Sequence, residues 1–95
     1  MEGEGMIEYE VDVKKRFFDD PEFLNEQIIY AISTRPKKVR NIISTFEKKQ
    51  RIDLDGHERK RLSALIILNL KIMVSKGIVE KDKERYKISP FYKKF

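Results

Sequence analysis

The segment over residues 64–74 places the strongest constraint on how this chain can fold. Only Asn69 and Lys71 are polar within it, so a helix formed by this segment is apolar on nearly all sides and must be covered on nearly all sides. A chain of 95 residues can bury only one small core. The sequence therefore predicts a single domain over residues 1–95 built around this helix, with a second subunit covering the part that stays open.

The two ends of this helix carry clear signals. Asp55 and Glu58 have the spacing of a capping box, in which each side chain accepts a hydrogen bond from the backbone N–H of the other residue. Gly77 stands where a residue in the left-handed conformation would end the helix. The sequence predicts a helix over 56–76.

Two further helices are predicted before this one. Asp20 followed by Pro21 is typical of a helix start, because Asp caps free N–H groups and Pro fits the first turn. This predicts a helix over 21–34. Pro36 begins the next one, over 36–49, whose apolar residues Val39, Ile42, Ile43 and Phe46 recur at helical spacing.

Extended structure is predicted at both ends of the chain. Ile7, Tyr9, Val11 and Val13 alternate with charged residues, which predicts a strand over 7–13 after a mobile start over 1–5. Two short runs over 78–89 predict a two-stranded ribbon. Because neither Gly nor Asn stands between these runs, we expect a longer or irregular loop. Residues 90–95 form a tail. The expected fold class is mainly α with a small β-ribbon, in total α+β.

The sequence contains no set of residues typical of a catalytic or metal-binding site. The chain has no cysteine, and its single histidine, His57, cannot form a two-histidine metal site or a histidine-based triad. A helical zinc-protease motif would need a second histidine where Arg61 stands, and no glycine-rich phosphate loop is present. We therefore expect no enzymatic activity, no metal and no cofactor, with an enzyme as the weakest of the functional alternatives.

Cellular location follows from what the sequence lacks. No apolar run approaches the roughly 18 residues that span a bilayer, and the first thirty residues contain no signal-like core. The absence of cysteine is typical of the reducing cytosol. These features predict a cytoplasmic protein with no membrane partner.

Charge is segregated along the chain. Residues 1–34 contain nine acids and three bases, whereas residues 35–95 contain seven acids and eighteen bases. The high content of Lys, Glu and Ile is typical of thermophilic proteins, but that does not explain segregation by sign. A basic region of this size favours a polyanionic partner, most simply a nucleic acid. An acidic membrane surface is the weaker candidate, because no lipid anchor or basic amphipathic arm accompanies the charge.

Residues 70–87, LKIMVSKGIVEKDKERYK, resemble the end of the recognition helix, the glycine and the wing of the winged helix-turn-helix family, in the style of archaeal MarR-like and PadR-like regulators. The resemblance implies a DNA-binding protein that regulates transcription. In this family the third helix enters the major groove of DNA, and the wing lies along the phosphate backbone or the minor groove. By position it implies DNA contacts from His57, Arg59, Lys60, Arg61, Ser63, Lys81, Lys83, Arg85 and Lys87. The basic face of the predicted helix over 36–49 adds Lys37, Lys38 and Arg40 to the predicted DNA contacts.

Homodimer formation is expected from the apolar third helix. The predicted dimer interface consists of Leu68, Ile72, Phe91, Tyr92 and Phe95. The alternative function is a winged-helix module for protein–protein assembly without direct DNA binding, and the apolar third helix is its best support. Salt-dependent binding of a duplex distinguishes the two, because an assembly module would show little of it.

Overall fold

The computed structural model describes residues 2–92, with side chains from residue 8 onward. Its elements are the helices α1 (Glu2–Asp19), α2 (Pro21–Ile32), α3 (Val39–Gln50) and α4 (Gly56–Ser75), followed by the strands β1 (Val79–Asp82) and β2 (Arg85–Ile88). The two strands form one antiparallel sheet, which we call the ribbon. The prediction of a mainly helical α+β chain with a small ribbon is confirmed.

The predicted strand over 7–13 is wrong, because these residues belong to α1. The error has a physical cause. Val13 and Phe17, four residues apart, are buried, whereas Tyr9 and Val11 are exposed, so burial follows the helical period and not the period of two. Residues 2–5 of the start predicted over 1–5 also lie in α1. Met1 lies outside the described residues.

Phe17 fastens α1 to the rest of the molecule. Its ring stacks on that of Phe46 in α3 at a centroid distance of 4.8 Å and meets the edge of Phe23 in α2 at 5.0 Å. A polar contact supports the same packing, since Lys14 forms ion pairs with Glu10 at 3.3 Å and with Glu58 of α4 at 3.1 Å. The first helix is therefore an integral part of the core.

The two predicted helix caps are confirmed. Asp20 accepts a hydrogen bond from the backbone N–H of Phe23 at 3.1 Å. At α4, Asp55 accepts from the N–H of Glu58 at 2.8 Å, and Glu58 accepts from the N–H of Asp55 at 3.1 Å. The predicted helix over 56–76 extends to Ser75, and that over 21–34 ends at Ile32.

The predicted helix over 36–49 begins later, at Val39, because Lys37 has a different role. It forms an isolated antiparallel bridge with Tyr86 of β2, through the hydrogen bonds Lys37 N–H to Tyr86 O at 3.0 Å and Tyr86 N–H to Lys37 O at 2.8 Å. This bridge attaches the ribbon to the start of α3.

The turn of the ribbon is tighter than predicted. Asp82 pairs directly with Arg85, so only Lys83 and Glu84 lie between the strands, and the expected longer loop is absent. Lys83 adopts the left-handed conformation with φ 58°, in place of the Gly or Asn that this conformation favours.

Arg51 also adopts the left-handed conformation, with φ 54°, at the C-cap of α3. We expect Arg51→Gly to raise the free energy of unfolding by about 0.5 to 1 kcal/mol, because glycine adopts this conformation without a steric penalty. Urea denaturation followed by circular dichroism measures the change. Lys49→Gly is the matched control, because it places a glycine within α3. It should lower the free energy of unfolding by about 1 kcal/mol. Destabilisation by both variants would contradict the expectation.

None of the helices within residues 2–92 combines the length and the apolar character needed to cross a bilayer.

Candidate nucleic-acid interface

An open groove of about 590 Å³ lies where α3 begins, between one face of α4 and the ribbon. Its lining residues are Lys38, Val39, Arg40, Ser63, Ile67, Lys71, Lys81, Glu84 and Tyr86. Four of these side chains are cationic and one is a carboxylate. The groove therefore combines an apolar floor with a rim of net positive charge.

The α4 side of the groove is one continuous face of the helix. Ser63, Ile67 and Lys71 are spaced by four residues each, so they lie above one another along the helix axis. Lys60 is exposed and stands three residues before Ser63, on the same face. Leu62 and Ile66, by contrast, are fully buried, which fixes the rotation of α4 so that this face opens toward the ribbon.

The α3 side of the groove supplies two cations. Lys38 is the N-cap of α3 and forms an ion pair with Glu84 of the turn at 3.3 Å. Arg40 is exposed in the first turn. That first turn contains no acidic residue, and no side chain caps the helix start. Positive charge thus accumulates at the end of α3 that also carries the positive end of the helix dipole.

The ribbon supplies the third side. The ammonium of Lys81 lies over the ring of Tyr86, 5.8 Å from its centroid. Three other predicted DNA contacts of the ribbon do not line the groove: Lys83 and Arg85, exposed at and next to the turn, and Lys87, which pairs with Glu80 at 3.6 Å. Because the Lys37–Tyr86 bridge holds the ribbon against α3, Lys81 keeps a defined position opposite α4.

Three predicted DNA contacts at the start of α4 lie elsewhere. Arg59 forms an ion pair with Glu47 of α3, whose other carboxylate oxygen accepts from the backbone N–H of Leu54 at 3.0 Å, so Arg59 fastens the connector between α3 and α4. Arg61 lies 4.7 Å over the ring of Phe18 in α1. His57 is exposed in the first turn and does not line the groove.

Lys37 faces away from the groove lining. Its Nζ donates to Thr45 Oγ1 at 3.2 Å. The pKa of Lys37 is lowered, first by partial burial of its ammonium and then by the nearby charges of Arg35 and Lys48. Lys37 therefore lies outside the groove lining, with its ammonium bonded to a side chain of α3.

The predicted DNA contacts omitted five of the nine residues that line the groove: Val39, Ile67, Lys71, Glu84 and Tyr86. Lys71 and Ile67 of the groove could have been found from their four-residue spacing after Ser63. Glu84 and Tyr86 carry no such signal, because the ribbon is placed beside α3 by the bridge between Lys37 and Tyr86.

The predicted dimer residues come from α4 and from the tail that follows the ribbon. Leu68 and Ile72 are 55% and 45% exposed on α4 and line none of the groove. Phe91, 86% exposed, borders a different depression together with Val74 and Gly77. Tyr92 is partly buried, and Phe95 lies outside the described residues.

Within the part of the chain that the structure describes, no three His, Cys, Asp or Glu side chains come together as a possible metal site. The chain matches no protein-family model, no curated protein and no solved structure at a significant level.

Proposed function

We propose that this protein binds double-stranded DNA in the manner of a winged helix and acts as a transcriptional regulator without enzymatic activity. The observation that carries the proposal is the groove, in which four cations and one carboxylate from α3, α4 and the ribbon face one open space. Phosphate neutralisation by Lys and Arg is the dominant source of affinity in DNA-binding proteins.

The proposed docking places one phosphate strand along the groove. With α4 in the major groove, which admits a helix, the ribbon reaches the adjacent minor groove, and the backbone between the two grooves passes Lys38, Lys71 and Lys81. Arg40 at the start of α3 reaches the same strand.

Base contacts would come from a short stretch of α4. Lys60 and Ser63 can hydrogen-bond to base edges, and Ile67, 38% exposed, can touch a thymine methyl group. The centre of this face is apolar, so few hydrogen bonds to bases are available. The proposed binding is dominated by phosphates and discriminates weakly between sequences.

The salt dependence of binding tests this proposal. We expect the affinity for a mixed-sequence duplex of about 20 base pairs to fall with salt, with a log–log slope of about −4 to −8, because each neutralised phosphate releases a counterion. Fluorescence anisotropy of a labelled duplex measures it. An affinity that stays constant between about 50 and 200 mM salt would contradict DNA binding and favour the assembly module.

We also propose that the protein forms a homodimer through the exposed face of α4 that contains Leu68 and Ile72. These side chains stand four residues apart and form an apolar strip on a 20-residue helix. Two copies related by a two-fold axis would cover each other's strip, since an apolar face is complementary to itself in an isologous interface. The strip lies outside the groove lining, so both grooves of the dimer would remain open.

Leu68→Glu tests the dimer. We expect light scattering at micromolar concentration to report about twice the chain mass of 11.4 kDa for the original protein and one chain mass for the variant, because a carboxylate buried in an apolar interface is costly. Val11→Glu, on the exposed side of α1, is the matched control and should not change the mass. A monomeric original protein would contradict the homodimer.

A further inference from the structure

The groove contains a carboxylate of its own. Glu84, in the turn of the ribbon, is the one acidic residue among those that line the groove, and its Oε2 lies 3.3 Å from the Nζ of Lys38. Six ion pairs join side chains within residues 8–92, and this is the one whose two members both line the groove. Lys38 therefore already has a counter-charge on the surface that is proposed to receive phosphates.

The attachment of the ribbon determines where this carboxylate lies. The antiparallel bridge pairs Lys37 with Tyr86, so the chain that leaves Lys37 runs toward the turn and brings Lys38 beside Glu84. Lys38 and Glu84 also border a neighbouring depression, together with other residues of the turn. The ion pair thus stands at the edge of the groove, where the turn of the ribbon meets the start of α3.

The other cations of the groove are not paired in this way. Arg40, Lys71 and Lys81 form no ion pair within residues 8–92, so a phosphate can approach them without displacing a carboxylate. At Lys38 a phosphate meets the carboxylate of Glu84, and the two negative charges repel each other. The Glu84 side chain is 79% exposed and that of Lys38 only 32%, so the carboxylate is the member that can turn away into solvent.

We propose that Glu84 is an autoinhibitory residue of the groove, whose carboxylate occupies the phosphate position at Lys38 until a duplex displaces it. The inference rests on the proposed function and adds a regulation of the same site. The protein is held at a lower affinity than its cations alone would give, because binding has to break the ion pair. The effect is the same for every sequence, since Lys38 is proposed to contact the phosphate backbone and not the base edges.

Glu84→Gln tests the proposal. We expect this variant to bind the labelled duplex about 5-fold more tightly than the original protein, because the exposed ion pair that binding must break is worth about 1 kcal/mol. Fluorescence anisotropy measures the affinity. Glu80→Gln is the matched control, since it makes the same change in net charge on the same ribbon. Glu80 pairs with Lys87 at 3.6 Å and lies outside the groove lining, so its replacement should change the affinity by less than about 2-fold.

The same substitution in a Lys38→Gln background separates displacement of the ion pair from general repulsion. Without Lys38, Glu84 has no ion pair to lose when the duplex binds, so Glu84→Gln should increase the affinity by a smaller factor than it does with Lys38 present. Equal factors in the two backgrounds would overturn the proposal, because Glu84 would then act only as a negative charge near the duplex.

The comparison also distinguishes failure of this proposal from failure of the proposed function. Duplex binding by the original protein, with Glu84→Gln no tighter than Glu80→Gln, would overturn the autoinhibition and leave DNA binding intact. Absence of duplex binding from the original protein and from every variant would contradict the proposed function and the autoinhibition with it. Because both glutamates are exposed in large part, the circular dichroism spectra of the two variants should remain that of the original protein.

Discussion

Replacing Phe17 with Ala should lower the free energy of unfolding by about 3 to 5 kcal/mol, the usual loss for a fully buried phenylalanine. Its side chain is only 1% exposed and contacts the rings of Phe23 and Phe46, so the substitution opens a cavity where three helices meet. A loss of this size is a large part of the stability of a small domain, about 5 to 15 kcal/mol in total.

Urea denaturation followed by far-ultraviolet circular dichroism measures the loss. Val11→Ala is the matched control, because Val11 lies on the same helix with 58% of its side chain exposed, and it should change the stability by less than about 0.5 kcal/mol. Equal, small effects of the two substitutions would show that α1 does not belong to the core.

The second large effect concerns the groove. The triple variant Arg40→Gln/Lys71→Gln/Lys81→Gln should bind duplex DNA about 100-fold more weakly, because three charged phosphate contacts at about 1 kcal/mol each are removed. The magnitude of the salt slope should fall by about 3. Fluorescence anisotropy at several salt concentrations gives both quantities.

The control for the groove is Lys15→Gln/Lys49→Gln/Lys76→Gln, which removes the same charge from exposed positions outside the groove lining. It should weaken binding only slightly. Arg61→Gln distinguishes the groove from the DNA contacts predicted from the sequence. The sequence places Arg61 among those contacts, whereas in the structure it lies over the ring of Phe18 and not in the groove. A greater loss from Arg61→Gln than from the triple variant would contradict the groove as the interface.

The parts of the fold that sequence reasoning predicted correctly depend on local interactions. The capping box of Asp55 and Glu58 and the cap at Asp20 operate within three residues, so their signals are complete in the sequence. The ribbon is similarly local, because β1 and β2 are joined directly.

The errors of sequence reasoning arise where contacts between residues far apart in the sequence determine the structure. In residues 7–13 the alternation of apolar residues fits a strand, and only the packing of Phe17 against Phe46 shows which of them face the core. Among the cations at the start of α4, sequence alone cannot distinguish a charge directed at a partner from one directed at the protein itself. Arg59 has its partner in Glu47, twelve residues earlier, and the structure alone reveals the pair.

The bridge between Lys37 and Tyr86 has a consequence for how the molecule opens. Its two hydrogen bonds join the ribbon to the start of α3, so neither amide can exchange its hydrogen with solvent unless the ribbon detaches from the helical body. Tyr86 is also buried, so detachment exposes an aromatic ring to water. The ribbon and the segment before α3 therefore constitute one cooperative unit of local unfolding, and the amides of Lys37 and Tyr86 share a single opening event.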